Sequence, residues 1–127
     1  MGAGILIVED QVLIAIHLQD LVEEAGHRVV AIAHDTASAV TAAARQRPAF
    51  AIMDLRLANG SNGLDAARQL FDLYGVRCLF VSANIDEEVR NRGTEVQALG
   101  YIGKPFLPAE VITAVQVAAR VTAVDES

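Results

Sequence analysis

The sequence predicts a doubly wound α/β domain: one five-stranded parallel sheet with helices on both faces. Three observations carry that prediction. Five short apolar runs recur, at residues 5–8, 29–33, 49–53, 78–81 and 100–103, each too short for a helix and most rich in Val, Ile, Leu or Phe. The runs do not alternate apolar with polar, which is the pattern of strands covered on both faces. Stretches of helical period fill every gap, so the order is βαβαβαβαβα, without repeats, low-complexity segments or linkers.

The first run, Ile5-Leu6-Ile7-Val8, ends in Glu9-Asp10. A helix follows, with Leu13, Ile14, Leu18, Leu21, Val22 and Ala25 in one stripe and Gly26 as its stop. After the second run, Asp35-Thr36 are capping candidates for a helix with a slimmer stripe of Ala37, Val40, Thr41 and Ala44, ending before Pro48. The third run ends in Asp54, and Leu64, Ala67, Phe71 and Tyr74 then form a stripe closed by Gly75. The fourth, Cys78-Leu79-Phe80-Val81, ends in Ser82. Its helix is weaker: Ile85, Val89, Val96 and Leu99 fit one face, but Asn91-Arg92-Gly93 interrupts it. Asp86-Glu87-Glu88 still suit a first turn, where the helix dipole favours anions. The fifth run leads into Lys104-Pro105, and the last helix opens at Pro108 with Val111, Ile112, Val115, Ala118 and Ala119 inward.

Right-handed crossovers turn this order into an open sheet. With the flavodoxin-like strand order 2-1-3-4-5, a ligand binds beyond the strand ends between the first and third strands. Glu9-Asp10 and Asp54 end those two strands.

Composition narrows the function. A chain of 127 residues reads as one domain, residues 1–127, with no output domain visible. A net charge of −6 argues against direct nucleic-acid binding, which needs clustered Lys and Arg. Although 53 % of residues are hydrophobic, no run approaches the ~20 needed to span a bilayer. No signal peptide is visible, so the expectation is a cytoplasmic protein without membrane contact. The single Cys78 excludes an internal disulfide and reads as a small buried hydrophobe.

Three carboxylates at one sheet edge repel one another unless a cation or proton compensates. An oxygen-only donor set suits Mg²⁺, which takes one or two carboxylates plus a phosphate oxygen. With Lys104 to neutralise phosphoryl charge and Ser82 to donate a hydrogen bond, the residues suit phosphoryl transfer onto Asp54.

On these residues the chain resembles the receiver domain of two-component response regulators, of single-domain type. Glu9-Asp10, Asp54, Ser82 and Lys104-Pro105 follow the family pattern in order and spacing, and Gly100 to Phe106 is especially specific. The resemblance covers essentially the whole chain. It implies that Asp54 accepts a phosphoryl group from a sensor histidine kinase or a histidine phosphotransfer protein. It implies that Asp10, Asp54 and the Arg56 main-chain carbonyl hold Mg²⁺, with Glu9 acting through water. Ser82 and Lys104 would bind phosphoryl oxygens, and the Lys104-Pro105 bond is commonly cis in the family. Tyr101 stands at the family's switch-aromatic position; as a bare residue it reads equally well as core. The face of helix four, strand five and helix five would engage a downstream protein target or a second copy in a homodimer. Such a domain is no enzyme in the ordinary sense, since it catalyses only its own phosphorylation and dephosphorylation.

Two features depart from the family pattern. Ala58 stands where a Pro is usual, and Gly63 comes one residue late, so a longer and more flexible loop is expected after Asp54. The resemblance implies that Arg56 and Asn84 occupy positions which in the family tune attack of water on the acyl phosphate. Other readings compete: an interaction module acting independently of phosphorylation, and a Mg²⁺-dependent phosphatase. The phosphatase lacks a second Asp where Arg56 stands. A nucleotide-binding Rossmann domain is weaker still, because no Gly-rich loop follows the first strand.

Overall fold

The computed structural model describes residues 2–126. Its elements run β1 (Gly4–Val8), α1 (Val12–Glu24), β2 (Arg28–Ala33), α2 (Thr36–Gln46), β3 (Phe50–Met53), a 3₁₀ turn (Ala58–Gly60), α3 (Gly63–Tyr74), β4 (Cys78–Ser82), α4 (Glu87–Glu95), β5 (Gly100–Gly103) and α5 (Pro108–Glu126). All strand pairs are parallel and the sheet order is β2-β1-β3-β4-β5. The flavodoxin-like order expected from the sequence is the order found.

Uniformly apolar strands serve two cores at once. Side chains alternate across a strand, so Leu6, Val8, Ala51, Met53, Cys78 and Phe80 join one core with residues of α2 and α3. Ile5, Ile7, Phe50, Ile52, Leu79 and Val81 join the other with α1 and α5. Every residue of β1, β3 and β4 is buried, whereas the edge strand β2 exposes Arg28 and Ile32.

The caps have visible causes. Asp35 and Ser38 form a capping box at the start of α2, with Ser38 N–H donating to Asp35 Oδ1 at 2.8 Å. The Asn62 and Asp86 side chains cap α3 and α4. Gly75 closes α3 at φ +66°, a left-handed conformation that glycine adopts without strain.

Three helical expectations need correction. Leu13 does not belong to the inner face of α1: it is 82 % exposed, and Ala15, Leu18, Leu21 and Val22 are the buried set. On α2 the buried residues are Ala39 and Ala43, while Ala37, Thr41 and Ala44 are exposed. A helix with alanine on several faces carries too little hydrophobic contrast to reveal which one is inward. The fourth helix is not broken: α4 runs without interruption through Asn91-Arg92-Gly93. Ile85 precedes it, Val96 caps it and Leu99 lies beyond it. Gly93 costs the helix about 1 kcal/mol relative to Ala, yet a Cβ there would strike the Tyr101 hydroxyl and lie 2.9 Å from its Cζ. The glycine admits a neighbour; it does not end the helix.

Candidate functional site

Parallel register assembles the site. Val8 pairs with Met53, so the residues that follow, Glu9 and Asp54, emerge side by side at the switch point. Their backbones are tied in, with Asp54 N–H donating to Val8 O at 3.0 Å and Glu9 N–H to Ala33 O at 2.9 Å. At the other side, Ser82 pairs with Gly103, and the next amide, Lys104 N–H, donates to Ser82 O at 3.0 Å.

Lys104, the only lysine of the chain, bridges the first and third strand ends. Its Nζ lies 2.6 Å from Glu9 Oε1 and 3.1 Å from Asp54 Oδ2. One carboxylate oxygen each from Glu9, Asp10 and Asp54 falls within 4.8 Å of the others. Glu9 and Asp54 are buried and Asp10 is exposed. Asp54 Oδ1 also accepts the Leu55 N–H at 2.7 Å, and Glu9 Oε2 accepts the Gln11 N–H at 3.2 Å.

Burial raises the Glu9 carboxyl to about 7, helped by the charge of Asp54 and opposed by the hydrogen bond from Lys104. Burial alone would lower the Lys104 ammonium, but its hydrogen bonds to Glu9 and Asp54 prevail and raise it. The cluster therefore carries its own cation, with one carboxyl that takes a proton near neutrality. An oxygen-only cluster with one exposed edge is the donor set expected of a hard divalent ion.

The loop after Asp54 is tied down, contrary to the flexibility expected. Ala58 N–H donates to His34 O at 2.9 Å, Asn59 Nδ2 to Asp35 Oδ2 at 2.9 Å, and Thr36 N–H to Ser61 Oγ at 3.2 Å. The side-chain and backbone hydrogen bonds from Ser38, joined by the one from Asn59, hold the Asp35 carboxyl down to about 2. Arg56 bridges Asn62 in antiparallel fashion, through Leu57 N–H to Ser61 O and Gly63 N–H to Leu55 O. The Arg56 carbonyl is not among the groups that form this bridge. Gly63 is needed where it stands, since a Cβ there would collide with the Asp54 carbonyl and come within 2.7 Å of Leu55 Cα.

Tyr101 lies apart from the acidic cluster. Its ring stacks on Phe80 with centroids 5.7 Å apart, the Arg90 guanidinium lies 4.9 Å from its centroid, and its hydroxyl donates to Arg90 O at 3.3 Å. The Lys104–Pro105 peptide is cis, as the resemblance implies. Cys78 is buried, which pushes its thiol up to about 12.

Sequence reasoning missed two sets of residues. Gly93 carried a signal, a glycine inside a helical period, that was read as a break. The Asp35–Asn59 and Thr36–Ser61 ties carried none, because they join residues far apart in the chain. A cleft of about 800 Å³ lies at the other edge of the sheet and is lined by His27, Arg28, Arg47 and Arg120 among others.

A doubly wound sheet with a lysine-bridged acidic pocket at its switch point defines an α/β domain that presents acidic chemistry at one edge. The chain belongs to the response regulator receiver domain family, whose profile matches residues 5–116. Over 112 residues it is 39 % identical to the phyllosphere-induced regulator PhyR of Methylorubrum extorquens, a match covering 87 % of this chain and 41 % of that protein. Over 114 residues it is 29 % identical to the transcriptional regulatory protein PdtaR of Mycobacterium tuberculosis, covering 90 % and 55 %. The chain thus spans about half the length of these relatives. Among solved structures, the receiver domain of Erythrobacter litoralis PhyR superposes with a TM-score of 0.81 at 31 % identity, covering 92 % of this chain and 89 % of that one. The receiver domain of a Desulfovibrio desulfuricans diguanylate cyclase gives 0.86 at 26 %, covering 98 % and 99 %.

Proposed function

We propose that this receiver domain takes a phosphoryl group onto Asp54 from a phosphohistidine on a sensor kinase or phosphotransfer protein, and that the modification alters a protein-binding face. One observation carries the reading: a single lysine joins Glu9 and Asp54 at the switch point, with Asp10 completing an oxygen-only cluster.

Asp10, Asp54 and the Arg56 main-chain carbonyl would hold Mg²⁺, with Glu9 acting through water. When bound, the ion would neutralise charge on the transferred phosphoryl oxygens. An Asp54 oxygen attacks phosphorus, the phosphorus–nitrogen bond breaks, and its electron pair returns to the donor imidazole. Lys104 gives its ammonium to a phosphoryl oxygen, and the Ser82 hydroxyl donates to another. The product is an acyl phosphate, which a water molecule later opens to restore the carboxylate.

Features of the surface support such partners. Val12, Leu13 and Ile16 of α1 and Leu107 after β5 are large apolar side chains left exposed, at 69, 82, 48 and 67 %. His17 on α1 packs against Phe106 at 5.5 Å, so the two segments adjoin near the strand ends that carry Asp54. A phosphohistidine donor would dock there. The α4–β5–α5 face would engage the downstream protein or a second copy. No helix among the described residues is long and apolar enough to cross a membrane, which accords with action in the cytoplasm.

The test is Mg²⁺-dependent labelling by acetyl phosphate. Wild-type protein should take up label and Asp54→Asn should not; label retained in Asp54→Asn would sink the assignment. A phosphorylation-independent interaction module predicts partner binding indifferent to Mg²⁺ and beryllofluoride, and the intact cluster counts against it.

A further inference from the structure

We propose that the cleft at the amino ends of the strands binds a small organic phosphate of nucleotide size, held by Arg28, Arg47 and Arg120. The proposal makes no use of Asp54 and stands apart from the phosphate-accepting reading above.

Charge is the first argument. The chain carries a net charge of −6, yet this cleft is lined by three arginines and His27, and by no carboxylate among the described residues. A guanidinium keeps its charge throughout the physiological range, so proton loss cannot relieve the repulsion among the three. Elsewhere arginines find partners: Arg68 pairs with Asp72 and Arg92 with Asp65, both at 2.9 Å. Among the described residues, no carboxylate lies within ion-pair distance of Arg28, Arg47 or Arg120. A bound anion would supply the missing charge.

The donors are also held in place. Arg28 opens β2, Arg47 caps the end of α2, and Arg120 lies in the second half of α5. The Arg28 Nη1 donates to Gly2 O at 2.8 Å, and a Cβ on Gly4 would stand 3.2 Å from its Nη2. Arg47 has a backbone φ of +40°, an uncommon value for a residue with a side chain. Its guanidinium lies 4.7 Å from the centroid of the Tyr74 ring. Stacking uses the flat face of a guanidinium and leaves the N–H donors at its edge. His27 Nδ1 accepts the Ala3 N–H at 2.8 Å, which places the imidazole proton on Nε2 as a further donor.

Shape selects the ligand. The volume of about 800 Å³ falls within the roughly 300–1,000 Å³ of small-molecule sites, far more than a bare ion needs. Phosphate oxygens point in several directions, so one group can accept from arginines on different elements; a carboxylate offers two oxygens in one plane. Val30, Ala49 and Ala119 give the cleft small apolar walls, and Gln46 and Gln116 add amides. Such a lining suits an organic body with polar edges. The cleft is remote from the acidic cluster: Gly4 lines it, and the five steps along β1 to Glu9 span about 17 Å.

Amide NMR titrations of the metal-free full chain test this, with ADP, pyrophosphate, adenosine and a hexaglutamate peptide as probes. ADP should shift the amides of residues 2–4, 27–28 and 116–123 and not those of Glu9 and Asp54. It should bind at least tenfold more tightly than pyrophosphate or adenosine. Arg47→Gln and Arg120→Gln, both at exposed positions, should each weaken ADP tenfold or more, whereas Arg68→Gln, outside the cleft, should not. No shift with ADP or pyrophosphate would overturn the site, and so would tighter binding of hexaglutamate, which would mark a protein-docking surface. Equal affinity for ADP and pyrophosphate would overturn the organic body of the ligand. An equal loss in Arg68→Gln would reduce the binding to net charge and overturn the assigned arginines.

Discussion

Lys104 Nζ and Glu9 Oε1 lie 2.6 Å apart although their residues are ninety-five positions apart in the chain. This bridge, with the 3.1 Å contact to Asp54, lets a carboxylate cluster exist at the end of a buried sheet. Four expectations follow from it and from the loop beside it.

Removing the lysine strands the carboxylates. Breaking a buried ion pair from one side costs about 3–5 kcal/mol, and proton uptake by Glu9 should bring Lys104→Met below that range. Chemical denaturation without divalent ions should show the loss, and Mg²⁺ should restore part of it. Unchanged stability would mean that the bridge does not form in solution.

Relieving the crowding should act in the opposite direction. Asp10 is exposed and adds charge to the cluster, so Asp10→Asn should raise stability without Mg²⁺ by about 0.5–1 kcal/mol and weaken Mg²⁺ binding. A melting temperature and an affinity both equal to wild type would place the cluster elsewhere.

Protonation of Glu9 gives a pH dependence of definite sign. Its carboxyl titrates near 4.5 when unfolded and near 7 when folded. Between those values the folded state holds the extra proton, so this group's contribution to stability falls as pH rises and levels off above about 7. Metal-free wild-type protein should therefore lose stability relative to Glu9→Gln from pH 5 to 8. Mg²⁺ affinity should weaken below about pH 7, where the proton competes with the ion. Parallel stability curves for the two proteins would rule this out.

Gly63 should tolerate no side chain. A Cβ there meets the Asp54 carbonyl, so Gly63→Ala must move the loop that carries Arg56. We expect a destabilisation of about 1–3 kcal/mol, as for other overpacked sites, together with weakened Mg²⁺ binding. Calorimetric titration with Mg²⁺ separates the two effects, and an unaltered affinity would show that the loop takes no part in the site.

Particular elements show how much was legible beforehand. Strands were plain because Ile5 to Val8 and Cys78 to Val81 are apolar without alternation, which only a doubly covered sheet requires. Strand-end residues were legible for the same reason: parallel register carries Glu9, Asp54, Ser82 and Lys104 to one edge. Helix faces were less so, since alanine satisfies either side of α2 and Leu13 is apolar yet exposed. The loop after Asp54 looked loose because its partners, His34, Asp35 and Thr36, lie more than twenty positions away in the chain.

The sequence by itself determined the alternation of strand and helix, the two-sided burial and the acidic residues that end the first and third strands. These are local patterns repeated along the chain, and hydrophobic periodicity with right-handed crossovers is enough to read them. Only the tertiary structure decided that Lys104 bridges Glu9 to Asp54, that the loop after Asp54 is tied to His34, Asp35 and Thr36, and that Gly93 makes room for Tyr101. Each is a contact between side chains or backbone brought together from distant positions. Its energy depends on distances of a few ångströms that no spacing along the chain encodes.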